Sequence, residues 1–232
     1  MHIIHRHKII VSAILLMLGF GAYAQPNLEQ YDNRALHFGF TLSTNIGRLR
    51  VDRNTGAFPS DTLKNVSQVS FPGIGLGVIT NLHLGNHFDL RLLAPVISFV
   101  QRNLQYEFEK SKKETEVESA YCDASLQIKF KSDRRKNTRV YVLSGLRASY
   151  DLSSTVKQNR SNQKPVVSLK PFTYGYEFGA GLDMYFEYFK FSPEIKFCNT
   201  FGSAMYKDGF IYTELLHGLT PQLIQISLHF EG

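Results

Sequence analysis

The chain has 232 residues, a formal net charge of +6, two cysteines and no tryptophan. A balance this mildly basic, with no stripe of interleaved arginines and aromatics, gives no footing for nucleic-acid binding. The length suits one all-β barrel or sandwich once an export segment is set aside.

That segment is residues 1–24. Arg6 and Lys8 make a basic start, Ile9 to Phe20 is apolar, and Ala22-Tyr23-Ala24 supplies a small-x-small cleavage site, predicting a cut after Ala24. The apolar run falls short of the roughly 20 residues that span a bilayer. Gln25, not cysteine, follows the cut, so a lipoprotein is not expected. Residues 25–35 read as a short polar lead-in, and 36–232 as a single β-domain. No later stretch is long and apolar enough for a transmembrane helix.

From Leu36 the apolar period is two, which marks extended strands with two unlike faces. Leu36, Phe38, Phe40 and Leu42 alternate with His37, Gly39, Thr41 and Ser43. A polar segment, 51–67, reads as a loop. Ile74, Leu76 and Val78 then alternate with Gly73, Gly75 and Gly77, a glycine row that lets neighbours fill a narrow interior. Gly85-Asn86 signals a hairpin. The next strand sets Phe88, Leu90, Leu92, Ala94 and Val96 outward against Asp89 and Arg91. Pro95, which cannot donate to a ladder, should mark a bend or bulge. The same phase resumes at Leu104, Tyr106 and Phe108, followed by a charged tip, 109–117.

Ala120, Cys122, Ala124, Leu126, Ile128 and Phe130 form the next outward face, with Tyr121, Asp123, Ser125, Gln127 and Lys129 inward. After a turn at 132–137, Val140, Val142, Leu146, Ala148 and Tyr150 oppose Arg139, Tyr141, Gly145, Arg147 and Ser149. A basic loop, 153–170, leads to the longest regular stretch. There Phe172, Tyr174, Tyr176, Phe178, Ala180, Leu182, Met184 and Phe186 alternate with small or acidic residues. Past a tight turn at Glu187–Tyr188, Phe189, Phe191, Pro193, Ile195 and Phe197 oppose Lys190, Ser192, Glu194 and Lys196. A last long connection, 202–218, precedes Ile226, Leu228 and Phe230, set against Gln225, Ser227 and His229.

Alternation alone fits a soluble sandwich as well as a membrane barrel. The longest strands, however, exceed the usual 5–6 residues. The count is about eight, an even number, and connections alternate long and short, as in outer-membrane barrels. The fold class read from the sequence is therefore all-β, an eight-stranded antiparallel up-and-down transmembrane β-barrel. Cys122 faces outward and Cys198 inward in these phases, so the wall separates them and a disulfide is not expected.

The inward charges are Arg91, Lys129, Arg139, Arg147, Asp89, Asp123, Glu177, Asp183, Glu187, Glu194 and Lys196. Similar numbers of both signs suit an ion-paired filling of an eight-strand interior, which has room for side chains and little else. A catalytic carboxylate pair is the competing reading. His37 and His229 can become neighbours where the first and last strands meet, but no nucleophile motif accompanies them. No catalytic, cofactor-binding or metal-binding residue is assigned.

The block from Ser119 to Ser154 is similar to the middle strands of the outer-membrane β-barrel family common in gliding and gingival bacteria. In that family a Y-x-x-x-P-x-x-x-K strand leads to a Y-V-x-x-G strand. Tyr121, Lys129, Tyr141, Val142 and Gly145 match, with Ser125 in place of the proline. Leu36–Asn45, Pro171–Phe197 and Ile224–Glu231 more specifically resemble the PorT/SprT group of type IX secretion proteins. The resemblance implies a non-enzymatic accessory of protein secretion, with outer-membrane lipid and proteins of a secretion complex as partners. It implies no small-molecule substrate and no cofactor. An outer-membrane lipid-modifying enzyme built on His37 and His229, or a small ligand-binding barrel, are the alternatives.

Overall fold

The computed structural model describes residues 27–28, 30–53, 63–108, 112–153, 169–205 and 216–232. After a single 3-10 turn at Tyr31–Asn33 come β1 (Leu36–Arg53), β2 (Leu63–Ser70), β3 (Pro72–His83), β4 (Phe88–Phe108), β5 (Lys112–Lys131), β6 (Thr138–Asp151), β7 (Phe172–Tyr185), β8 (Lys190–Thr200) and β9 (Leu216–Glu231). β2 and β3 are successive pieces of one stave, both laid against β4 and interrupted at Phe71. The Phe71 amide still donates to Gln101 of β4 at 3.2 Å. Pairing of β1 with β9 and of β4 with β5 closes the sheet into eight antiparallel staves. Closure leaves no edge, and in hydrocarbon every backbone donor and acceptor must find its partner within the protein.

The alternation sets the two faces. Phe38, Phe40, Ile74, Leu76, Ile128, Val140, Leu146, Tyr174 and Phe178 stand exposed on the outer wall. An apolar surface this continuous is foreign to a water-soluble monomer and natural against acyl chains. Aromatic rings gather toward both ends. Phe230 touches Phe40, Phe191 and Phe189 at centroid distances of 4.9, 5.1 and 6.0 Å. At the other end Phe201 lies 5.9 Å from Tyr174 and 5.3 Å from Tyr176. Cys122 sits on the outer face and Cys198 is buried inside, both free.

The glycine row faces the lumen, where a Cβ on Gly75 would lie 2.5 Å from the Ser43 hydroxyl and one on Gly77 2.5 Å from a Val96 methyl. Those glycines make the room that Ser43 and Val96 fill.

Val96 corrects the sequence reading: it is buried inside, not outward. Both ladders of β4 slip between Leu93 and Val96, so Ala94 and Pro95 together oppose Val78 on one side and Ala124 on the other. One extra residue inverts the alternation, and beyond the bulge Ile97 and Phe99 face out while Ser98 and Val100 face in. The outward phase expected for Leu104, Tyr106 and Phe108 falls on side chains outside those described. Glu187 is also corrected, because it sits exposed in the β7–β8 turn.

The strands run further than expected at one end. Residues 51–53 and 63–67 are strand, not loop, and 112–117 belong to β5. Likewise β9 begins at Leu216, inside the expected connection 202–218. The opposite end carries the short turns 84–87, 132–137 and 186–189. By the usual arrangement of such barrels, the turn end is periplasmic and the end with extended strands and longer connections is extracellular. The predicted export segment, 1–24, lies outside the described residues.

Candidate functional site

The lumen is the part of the molecule with chemistry in it, and it is built in layers. At the turn end, residues 27–34 fold back across the mouth. Tyr31 is buried there, stacked on His37 at 3.8 Å, with its hydroxyl donating to Glu231 at 3.2 Å. Asp32 pairs with Arg139 at 3.3 Å and Arg134 at 3.6 Å. The guanidinium of Arg134 lies 3.8 Å over the Tyr185 ring and also donates to the Asn27 carbonyl. The Asn27 amide donates to the Asn137 side chain at 2.8 Å. Beside this cover, Lys131 donates to Asp89 at 2.6 Å and Lys190 to Glu231 at 2.9 Å.

The middle layers come from inward positions of β4 to β9. Arg91 donates to Glu194 at 2.6 Å, and the Tyr141 hydroxyl donates to the same carboxylate at 2.7 Å. Lys196 and His229 approach Glu194 at 3.7 and 3.3 Å. Lys129 spans both oxygens of Asp183 at 2.7 and 2.8 Å, its ammonium 3.7 Å over the Tyr141 ring. Ser192 donates to Asp183 at 2.6 Å. One layer on, Gln127 donates to Glu177 at 2.5 Å and Arg147 to Asp123 at 2.6 Å. Burying lone charges would cost several kcal/mol per ion, so the fold places an opposite charge or a donor on each carboxylate.

Toward the loop end the filling turns apolar. Val100, Tyr121, Cys198 and Leu223 form a buried cluster. They share a cavity of about 40 Å³ with Arg147, Asn199 and Gln222. That volume holds a water or two at most.

The structure brings together ten of the eleven expected inward charges and excludes Glu187. It adds Lys131, Asp151, Lys190 and Glu231, which a stricter extension of the β5, β6, β8 and β9 alternation would have found. Tyr31 had no signal, because a polar lead-in does not show where it docks. The two histidines do not pair: His229 is registered against Thr41, four residues along β1 from His37. Among the described residues no hydroxyl hydrogen-bonds to either histidine, and the Ser227 hydroxyl accepts from Gln225 at 3.2 Å. No group of three or more His, Cys, Asp or Glu is placed to hold a metal among the described residues.

A closed eight-stave barrel with a lipid-facing apolar wall, aromatic girdles and a packed ionic interior is a transmembrane β-barrel of the outer-membrane type. The chain belongs to the outer membrane protein beta-barrel domain family, whose model matches residues 23–205. That membership places it in an outer membrane. Among solved structures it is similar to the outer membrane protein OprG from Pseudomonas aeruginosa (10% identity, TM-score 0.48, 84% of this chain and 91% of that one). It is also similar to the N-terminal barrel of OprF from the same organism (13%, 0.33, 82% and 96%) and to Ail, the attachment invasion locus protein of Yersinia pestis (13%, 0.37, 86% and 100%). No curated protein matches it.

Proposed function

We propose that the protein is a non-enzymatic outer-membrane barrel of the PorT/SprT group, an accessory of type IX protein secretion that works through its rims and loops. It would reach the outer membrane through a signal segment, 1–24, cleaved after Ala24, leaving the lead-in 25–35 and the barrel 36–232. One observation carries the non-enzymatic, non-channel part of this reading. The lumen is filled from Asp32 to Glu177 by mutually paired charges. Such a lumen supplies neither a conduit nor an open carboxylate, so binding falls to the surfaces around it. The secretion role itself rests on the sequence resemblance at Leu36–Asn45, Pro171–Phe197 and Ile224–Glu231. Its partners are then outer-membrane lipid and components of the secretion complex.

Deleting the gene and assaying export of cargo bearing the secretion signal tests the role. Loss of cargo from the medium, restored by the wild-type gene and by a variant with alanine at His37 and His229, supports it. Normal export in the deletion strain ends it.

A further inference from the structure

The outer wall is not apolar throughout. Along β1 the outward residues Leu36, Phe38, Phe40, Leu42, Thr44 and Ile46 are followed by Arg48 and Arg50, both exposed. Leu36 to Ile46 covers about 33 Å of strand, or about 25 Å along the axis at a tilt of about 40°, the height of the apolar band of such barrels. Arg48 and Arg50 thus stand where the hydrocarbon ends on the loop side. Neither pairs with a carboxylate among the described residues.

Arg48 also ends a row that crosses four strands in register. It is paired with Gln222, Gln222 with Asn199, and Asn199 with Tyr176. Asn199 donates to the Tyr176 hydroxyl at 2.8 Å, and Gln222 to the Asn199 carbonyl oxygen at 3.5 Å. Immediately toward the turn end runs an apolar row, Phe178, Phe197 and Ile224. The two rows line a groove of about 310 Å³ on the outer wall.

We infer that this groove is a binding site for a phosphorylated lipid of the outer leaflet. Arg48 and Arg50 take the phosphate, the amide row takes the headgroup's hydroxyls, and Phe178, Phe197 and Ile224 take the first part of an acyl chain. The occupant is fixed by charge complementarity and position. An unpaired guanidinium at the rim of the hydrocarbon faces lipid phosphates and binds them by two parallel hydrogen bonds. The inference depends on the membrane orientation and not on the secretion role.

The test uses full-length barrel purified in detergent, with retained lipid counted by native mass spectrometry. The probes are bis-phosphorylated lipid A, the same lipid dephosphorylated, and inorganic pyrophosphate. Wild type should retain the phosphorylated lipid, and Arg48→Gln with Arg50→Gln should retain it roughly tenfold less. Arg135→Gln, in an exposed turn at the other rim, should leave retention unchanged. Asn199→Leu, which keeps every charge, should weaken it by a smaller factor. Heat-modifiable gel mobility checks that each variant is folded, and the single Arg variants stand in if the double does not fold. Equal retention by wild type and the arginine variants overturns the site. So does equal retention of dephosphorylated lipid by wild type. Binding of pyrophosphate by wild type as tightly as the phosphorylated lipid, with the same loss on Arg48→Gln with Arg50→Gln, overturns the lipid as occupant in favour of a free anion.

Discussion

At the turn end of the lumen, Tyr31, Glu231, Lys190 and Asp32 form a cover knitted by ions and hydrogen bonds. At the loop end, Val100, Tyr121, Cys198 and Leu223 meet as a small apolar cluster with a cavity beside it. The ionic end is specific, since each charge requires its partner. The apolar end is forgiving, since its contacts are short-ranged and a neighbour can relax into lost volume. A narrow barrel can thus be filled by either material, and the two respond differently to substitution.

The sharpest break of that contrast is Glu194→Ala. It leaves Arg91 and Lys196 buried without their shared carboxylate, and should cost about 3–5 kcal/mol in urea unfolding from lipid vesicles. Arg91→Met with Glu194→Met removes the charges together and should recover much of the loss. A double variant as unstable as the single would show that the pair does not act as a unit. Tyr31→Ala should cost about 2–3 kcal/mol, through its lost stacking on His37 and its bond to Glu231. It should also speed amide exchange in the flanking residues 132–137, because the cover over that turn is loosened. Leu223→Ala, at the apolar end, should cost about 2 kcal/mol with no second-site rescue from a charge change. Cys122→Ala, on the lipid face, should shift stability by less than about 0.5 kcal/mol. A larger effect there would mean that the outer wall carries contacts beyond lipid.

Much of this architecture was legible because a wall with grease on one side and charge on the other writes its period directly into the chain. The outward rows on β1, β5, β6 and β7, and the inward charges from Asp89 to Lys196 other than Glu187, follow from that period alone. Three features did not. The polar stretch 63–67 and the charged stretch 112–117 read as loops by composition, yet they continue strands through backbone pairing with β4, to which composition is blind. The docking of Tyr31 onto His37 and Glu231 depends on contacts more than a hundred residues apart in sequence on one side. The offset between His37 and His229 is a matter of stagger, which strand order does not determine. Arg48 and Arg50 are legible in the same way, because they interrupt the outward apolar row of β1.

The bulge at Ala94-Pro95 behaves like a single-letter insertion in a reading frame. Upstream of it, β4 is spelled with even positions for the membrane. Downstream the same strand is spelled with odd ones, and Ile97, Phe99, Ser98 and Val100 make sense only in the shifted frame. Paired straight through without the bulge, the same residues would present Ser98 to hydrocarbon and Phe99 to the interior. The irregularity is therefore an instruction shared by every residue that follows it on the stave.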